Sequence, residues 1–137
     1  MPGRSSAVIV LLIAGALAGC GATSSSAGKF HGEQAKVAAV IDMLSSAASS
    51  KDANKICTKI LADARSAMLK AAGGSCSSVV GKQLDTVDTF NVTVQSVTIT
   101  GTTAQAKVTS TSDGKDKTDT LSLMRAADGT WRIASLA

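Results

Sequence analysis

Tyrosine is absent from these 137 residues, and the other aromatics amount to Phe30, Phe90 and Trp131. The only histidine is His31. Without Tyr, no phenol can serve as an oxyanion donor. With one His and no nucleophile elbow around any Ser, a Ser/His/Asp arrangement has no credible members. Cys-x-x-Cys is missing, which removes dithiol redox chemistry. Neither Cys57 nor Cys76 has a His, a further Cys or a carboxylate cluster nearby at ligand spacing, so no metal is expected. Gly73-Gly74 runs into Ser75-Cys76 without the lysine that a phosphate-cradling loop requires. The net charge of +4 is slight and scattered, which argues against nucleic acid as a partner. No cofactor signature appears anywhere. What is present is 45% apolar and 18% charged, enough for one modest folded core.

Residues 1–19 have the layout of an export signal. Arg4 supplies positive charge, Ala7 to Ala18 is apolar apart from Gly15, and small residues lead to Cys20. That run is shorter than the roughly 20 residues of a spanning helix and fits a secretory hydrophobic region. Leu17-Ala18-Gly19-Cys20 resembles a bacterial lipobox. The resemblance implies that Cys20 becomes the first mature residue and carries a diacylglyceryl group, since small residues before it admit a peptidase and its thiol takes the lipid. Two or more acyl chains hold a protein stably at a bilayer, whereas one does so marginally. The expected location is therefore the extracytoplasmic face of the cell membrane. Residues 20–29, with the Gly-Ala-Thr-Ser-Ser-Ser-Ala-Gly run, read as a flexible tether.

Once Cys20 is given to lipid, Cys57 and Cys76 form an even pair. In an exported domain such a pair reads as a disulfide.

Val37, Val40, Ile41, Leu44 and Ala48 recur at helical spacing and predict a first helix from about 29 to 49. The serines of 45–50 offer caps for a second helix, with Ile56, Ile60 and Leu61 on its apolar face. That helix is expected to continue, with a kink, through Met68 and Leu69 until Gly73-Gly74. Ser75 caps a third helix that faces Val79, Val80 and Leu84 inward. From Phe90 the period changes to two. Phe90, Val92 and Val94 alternate with polar residues, and Val97 and Ile99 resume one residue out of phase, the signature of a β-bulge near Gln95-Ser96. Ala104/Ala106/Val108, Leu121/Leu123 and Trp131/Ile133 mark three further strands. Gly101, Asp113-Gly114 and Asp128-Gly129 separate them, and Asp-Gly suits a hairpin because Gly accepts positive φ. The fold class is α+β: three N-terminal helices on one face of a curved four-stranded antiparallel meander.

Three helices, then a sheet ending in Leu121-Ser-Leu123 and Asp128-Gly-Thr-Trp131-Arg-Ile133, resemble the nuclear transport factor 2-like superfamily, in particular small exported lipoproteins of high-GC Gram-positive bacteria. The resemblance covers residues 30–137 and implies a cone whose mouth holds a ligand or catalytic site. Val40, Met43, Leu44, Leu121, Leu123 and Trp131 are the candidate lining, all equally explicable as plain core. A small apolar ligand or an envelope protein is the expected partner, with a purely structural envelope component, its cone collapsed, as an alternative. Enzymes of the superfamily resemble ketosteroid isomerases and polyketide cyclases. That alternative needs Asp42 or Asp63 as base, although exposed carboxylates beside lysines are ordinary. Fold analogy alone transfers no activity, and no catalytic residue is assigned.

The outer face of the sheet, rich in Thr, Gln, Lys and Asp, lacks the apolar area that a large interface needs. A monomer is therefore expected in sedimentation at micromolar concentration. A stable dimer would show that this face had been misread.

Overall fold

The structure is a computed structural model and describes residues 26–136; the signal region, Cys20 and most of the tether lie outside the described residues. A 3-10 turn at Ala27–Lys29 precedes helix α1, Gly32–Ser49. A short helix α2, Ala53–Lys55, runs directly into a five-residue π turn, Ile56–Ile60. Helices α3, Asp63–Gly73, and α4, Cys76–Asp85, follow. Four strands complete the chain: β1 Phe90–Thr100, β2 Thr103–Ser112, β3 Lys115–Arg125 and β4 Trp131–Leu136. They form one antiparallel sheet in the order β1-β2-β3-β4.

The helical half differs from the expected three helices. What reads in sequence as one kinked helix is broken at Leu61, whose ψ of 145° is extended. There Leu61 makes a parallel bridge to Ile133, and the Ala62 N–H donates to the Ile133 carbonyl at 2.8 Å. An outermost strand leaves alternate backbone groups unpaired, and at β4 this step pairs Ile133. The α2 cap is Asp52, which accepts from the Lys55 N–H at 2.9 Å, not one of the preceding serines. Those serines remain in α1 or at its end. Ser75 does cap α4, accepting from Ser78 N–H at 3.1 Å.

The opposite edge of the sheet is covered by side chains. Ser45 Oγ accepts from Val92 N–H and Ser26 Oγ from Val94 N–H, at 3.1 and 3.0 Å. Ser49 Oγ donates to Phe90 O at 2.9 Å, and Gln34 Nε2 donates to Val97 O at 3.0 Å. The residues whose backbone groups point out from this edge are even-numbered up to Val94 and odd-numbered from Val97. The register shift between Val94 and Ser96 accounts for the change, leaving Gln95 as the extra residue. A second shift between Ser122 and Leu123 leaves Ala134 unpaired in the β3–β4 register. At the β2–β3 hairpin, Asp113 and Gly114 have φ of 50° and 78°, the two positive angles of a type I′ turn. The Asp113 carboxylate also accepts from the Asp88 and Thr89 N–H groups, both at 3.0 Å, and so pins the α4–β1 link to this hairpin.

Helix α1 lies across the inner face of the sheet. Val37, Ala38, Ile41, Ala47 and Ala48 are buried, while Val40 and Leu44 sit half-buried on the flank of that stripe. They pack with Val92, Val94, Ala106, Leu121, Leu123, Trp131 and Ile133 into one core. Cys57 and Cys76 are disulfide-bonded, with Cα atoms 6.0 Å apart. The bond joins the π turn to the first turn of α4 and spans all of α3.

Replacing both of these cysteines with serine is expected to cost about 3 kcal/mol through the freed unfolded loop. Urea unfolding should show the loss as a lower midpoint; an unchanged midpoint would mean the bond adds nothing to stability.

Candidate functional site

A cavity of about 280 Å³ opens between the C-terminal half of α1, the α2–π segment, α3, α4 and the ends of β1 and β4. Its walls are aliphatic. Leu44 and Ala48 come from α1, Ile56 from the π turn, Val80 and Leu84 from α4, and Phe90 and Ile133 from the sheet. Leu61, Arg65 and Leu69 also line it. Arg65 and Leu69, four residues apart, share one side of α3, and Leu61 lies in the extended segment before it. Ser49, Lys51, Gln83 and Asp88, all exposed, line it where the walls meet solvent.

Helix α3 is the thinnest wall. It has no buried residue, and Met68 is 62% exposed. Its ends are nevertheless fixed, at one side by the Ala62–Ile133 bond and at the other by the turn into disulfide-bonded Cys76. Ser66 Oγ donates to Cys57 O at 3.1 Å, a third tie. Apart from half-buried Leu69, which packs against the core, the sequence of α3 is freed from core packing yet held over an opening.

Of the six residues proposed from sequence as lining, the structure brings Leu44 to this cavity. Val40 is half-buried against the core and Met43 is 37% exposed. Leu121, Leu123 and Trp131 are 3%, 1% and 2% exposed and fill the core. The reason is the position of α1, which covers the centre of the sheet and leaves the aliphatic space at its end, under α3 and α4. Arg65, Leu69, Gln83, Val87, Phe90 and Ile133 were not singled out as lining. The Leu61/Arg65/Leu69 spacing was available in sequence, but its meaning depends on where α3 separates from α2.

The two candidate bases also fall elsewhere. Asp42 accepts from the Ser26 and Ala27 N–H groups at 3.0 and 2.9 Å, so its carboxylate anchors the 3-10 turn. Asp63 is exposed in the first turn of α3 and borders a different depression of about 390 Å³, with Asp128, Arg132 and Met124. That second depression is the larger, but alanines and charged groups bound it and no aliphatic wall closes it. His31 is exposed at the start of α1 and caps nothing with its side chain. Among the described residues no group of three His, Cys, Asp or Glu could hold a metal ion. No helix among them is long and apolar enough to cross a membrane.

A charged cluster stands at the other end of α1. Glu33 Oε2 accepts from the Trp131 indole N–H at 3.0 Å and from Arg125 Nη2, while Oε1 receives Lys36 Nζ at 2.7 Å. The Arg125 guanidinium lies 4.9 Å from the centre of the Trp131 ring. Lys36 first, then the Trp131 N–H, with Arg125 adding its charge, bring the Glu33 carboxyl down to about 2. Nothing in the local sequence announces this cluster, because its members are separated by 92 and 98 positions.

A family model described as putative lumazine-binding matches residues 27–137. Neither a curated protein nor a solved structure matches the chain.

Because the folded Glu33 carboxyl titrates below its ordinary value of 4.5, its contribution to stability is complete above that value and declines as pH falls towards 2. The stability advantage of the wild type over Glu33→Gln should be constant above about pH 5.5 and shrink below about pH 4.5. Denaturant unfolding at a series of pH values checks this; a difference independent of pH would overturn it.

Proposed function

The chain belongs to the putative lumazine-binding family, and from that premise we propose that it is a non-catalytic ligand carrier held at the outer face of a membrane. The cavity under α3 and α4 receives a small apolar molecule, and a diacylglyceryl group on Cys20 supplies the anchor. The observation that carries the ligand reading is the wall of Leu44, Ile56, Leu61, Leu69, Val80, Leu84 and Ile133, closed by a helix with no core of its own. Small-molecule sites are mostly apolar with a few polar groups at fixed points, and this cavity has that composition. Its size is at the lower edge of the roughly 300–1,000 Å³ usual for drug-sized ligands, which favours one short chain or one ring system. A lumazine carries several ring nitrogens and carbonyls that need partners once buried, whereas Ser49, Lys51, Gln83 and Asp88 stand exposed where the aliphatic walls meet solvent. An apolar molecule suits the lining better.

The anchor reading rests on the lipobox-like Leu17-Ala18-Gly19-Cys20 and on the disulfide, a bond that persists in oxidising, extracytoplasmic surroundings. The isomerase-like alternative loses its simplest base, since Asp42 is engaged by two backbone N–H groups.

Two measurements test the proposal. Fluorescence titration with the neutral probe N-phenyl-1-naphthylamine should saturate on the purified protein. Leu69→Trp, which fills the cavity from a helix without buried residues, should weaken binding at least about tenfold while circular dichroism stays unchanged. Absence of saturation on the wild type would end the apolar-ligand reading, and tighter binding of 6,7-dimethyllumazine would replace it. For the anchor, mass spectrometry of membrane-extracted protein should find diacylglycerol on an N-terminal Cys20, and an unmodified Cys20 would refute it.

A further inference from the structure

Arg65 differs from the other cations of the helical half. It is half-buried, it lines the aliphatic cavity, and its side chain has no hydrogen bond or ion pair among the described residues. Lys51, the other cation of the lining, stands 4.0 Å from Asp85. Asp88 is the only carboxylate of the lining; it is exposed and has no contact with Arg65 within salt-bridge distance. A guanidinium presents five donors in a planar fork and cannot lose its proton in a protein. Partly withdrawn from water beside Leu61 and Leu69, it gains most from an anion that brings acceptors in a matching plane.

We propose that the occupant of this cavity is a single-chain anionic amphiphile, with its chain against the aliphatic walls and a carboxylate or phosphate monoester head on Arg65. This rests on the apolar-ligand reading above and narrows it to a chemical class. The spacing of α3 supports the pose. Leu69 lies one helical turn beyond Arg65 on α3, and Leu61, in the extended segment that leads into the helix, lines the same cavity, so a chain lying against these two side chains has the guanidinium within reach. The cavity of about 280 Å³ admits one short chain and is too small for two, which separates this ligand from an intact two-chain membrane lipid. Arg65 is then a specificity-determining residue: the walls supply affinity for the chain, and the charge selects the head.

Competition with N-phenyl-1-naphthylamine gives the test, using decanoate, decyl phosphate, decanol and decyltrimethylammonium on the purified protein. At least one of the two anions should bind about tenfold or more tightly than decanol, and the cation more weakly than either. Arg65→Met keeps an apolar stem as far as the position of Nε and removes the guanidinium, and should remove the anion preference while leaving decanol affinity unchanged. Arg65→Lys should retain part of it. Thermal unfolding of both variants would establish that they fold, and α3 has no fully buried residue for them to disturb. Equal affinities for anion and alcohol, a preference for the cation, or an anion preference that survives Arg65→Met would each overturn this proposal while leaving the apolar-ligand reading intact. Failure of all four compounds to displace the probe, or of the probe to bind, would instead defeat the reading on which it rests.

Discussion

A four-stranded open sheet leaves two edges, and each exposes backbone donors and acceptors that invite pairing with another chain. Here outward groups on the two edges are paired by different means. On β1, hydroxyl and amide side chains of Ser26, Gln34, Ser45 and Ser49 reach the outward backbone groups one by one. On β4, the backbone itself leaves the helical path at Leu61-Ala62 and bonds to Ile133. That second solution has consequences well beyond the edge. It splits what would have been one long helix, frees α3 from the sheet, and leaves the space between α3, α4 and the strand ends unfilled.

The cavity is therefore a product of strand termination. A continuous second helix through Leu61 could have packed flat on the sheet, as α1 does. Once the chain is diverted to β4, residues 63–73 start from a fixed point and return to a second one at Cys76, held by the disulfide. The helix between those points makes little contact with the core. An element so placed opens at lower cost than the core strands, as segments with few buried contacts do. Such an element suits a wall through which a ligand enters.

The Glu33–Trp131–Arg125 cluster does the converse at the far end. It ties the first turn of α1 to β3 and β4 through a carboxylate that accepts an indole N–H and a guanidinium. Trp131 is almost wholly buried, and its N–H would be costly to leave without an acceptor. Glu33 meets that need from the edge of the core while keeping part of its surface in solvent. With one end of α1 fixed in this way and the sheet centre filled by Leu121, Leu123 and Ile133, the aliphatic cavity lies at the opposite end of the helix.

Much of this was legible in the residues. Period-two alternation from Phe90 gave all four strands, and the phase slip between Val94 and Val97 located the bulge, because side-chain facing is fixed by local geometry. Asp113-Gly114 declared its hairpin through the positive φ that its turn requires. Ser75 declared its cap, and the cysteine pair its disulfide. The end of α2, the four-helix count and the lining of the cavity were decided by tertiary structure. Leu61 has the same apolar character whether it continues a helix or bridges a strand, and only the presence of β4 seventy residues later selects between them. For the same reason Leu121, Leu123 and Trp131 could not be told apart from a pocket wall in sequence. Burial depends on what covers a residue, and α1 covers these; hydropathy records that a side chain avoids water, not which neighbour excludes it.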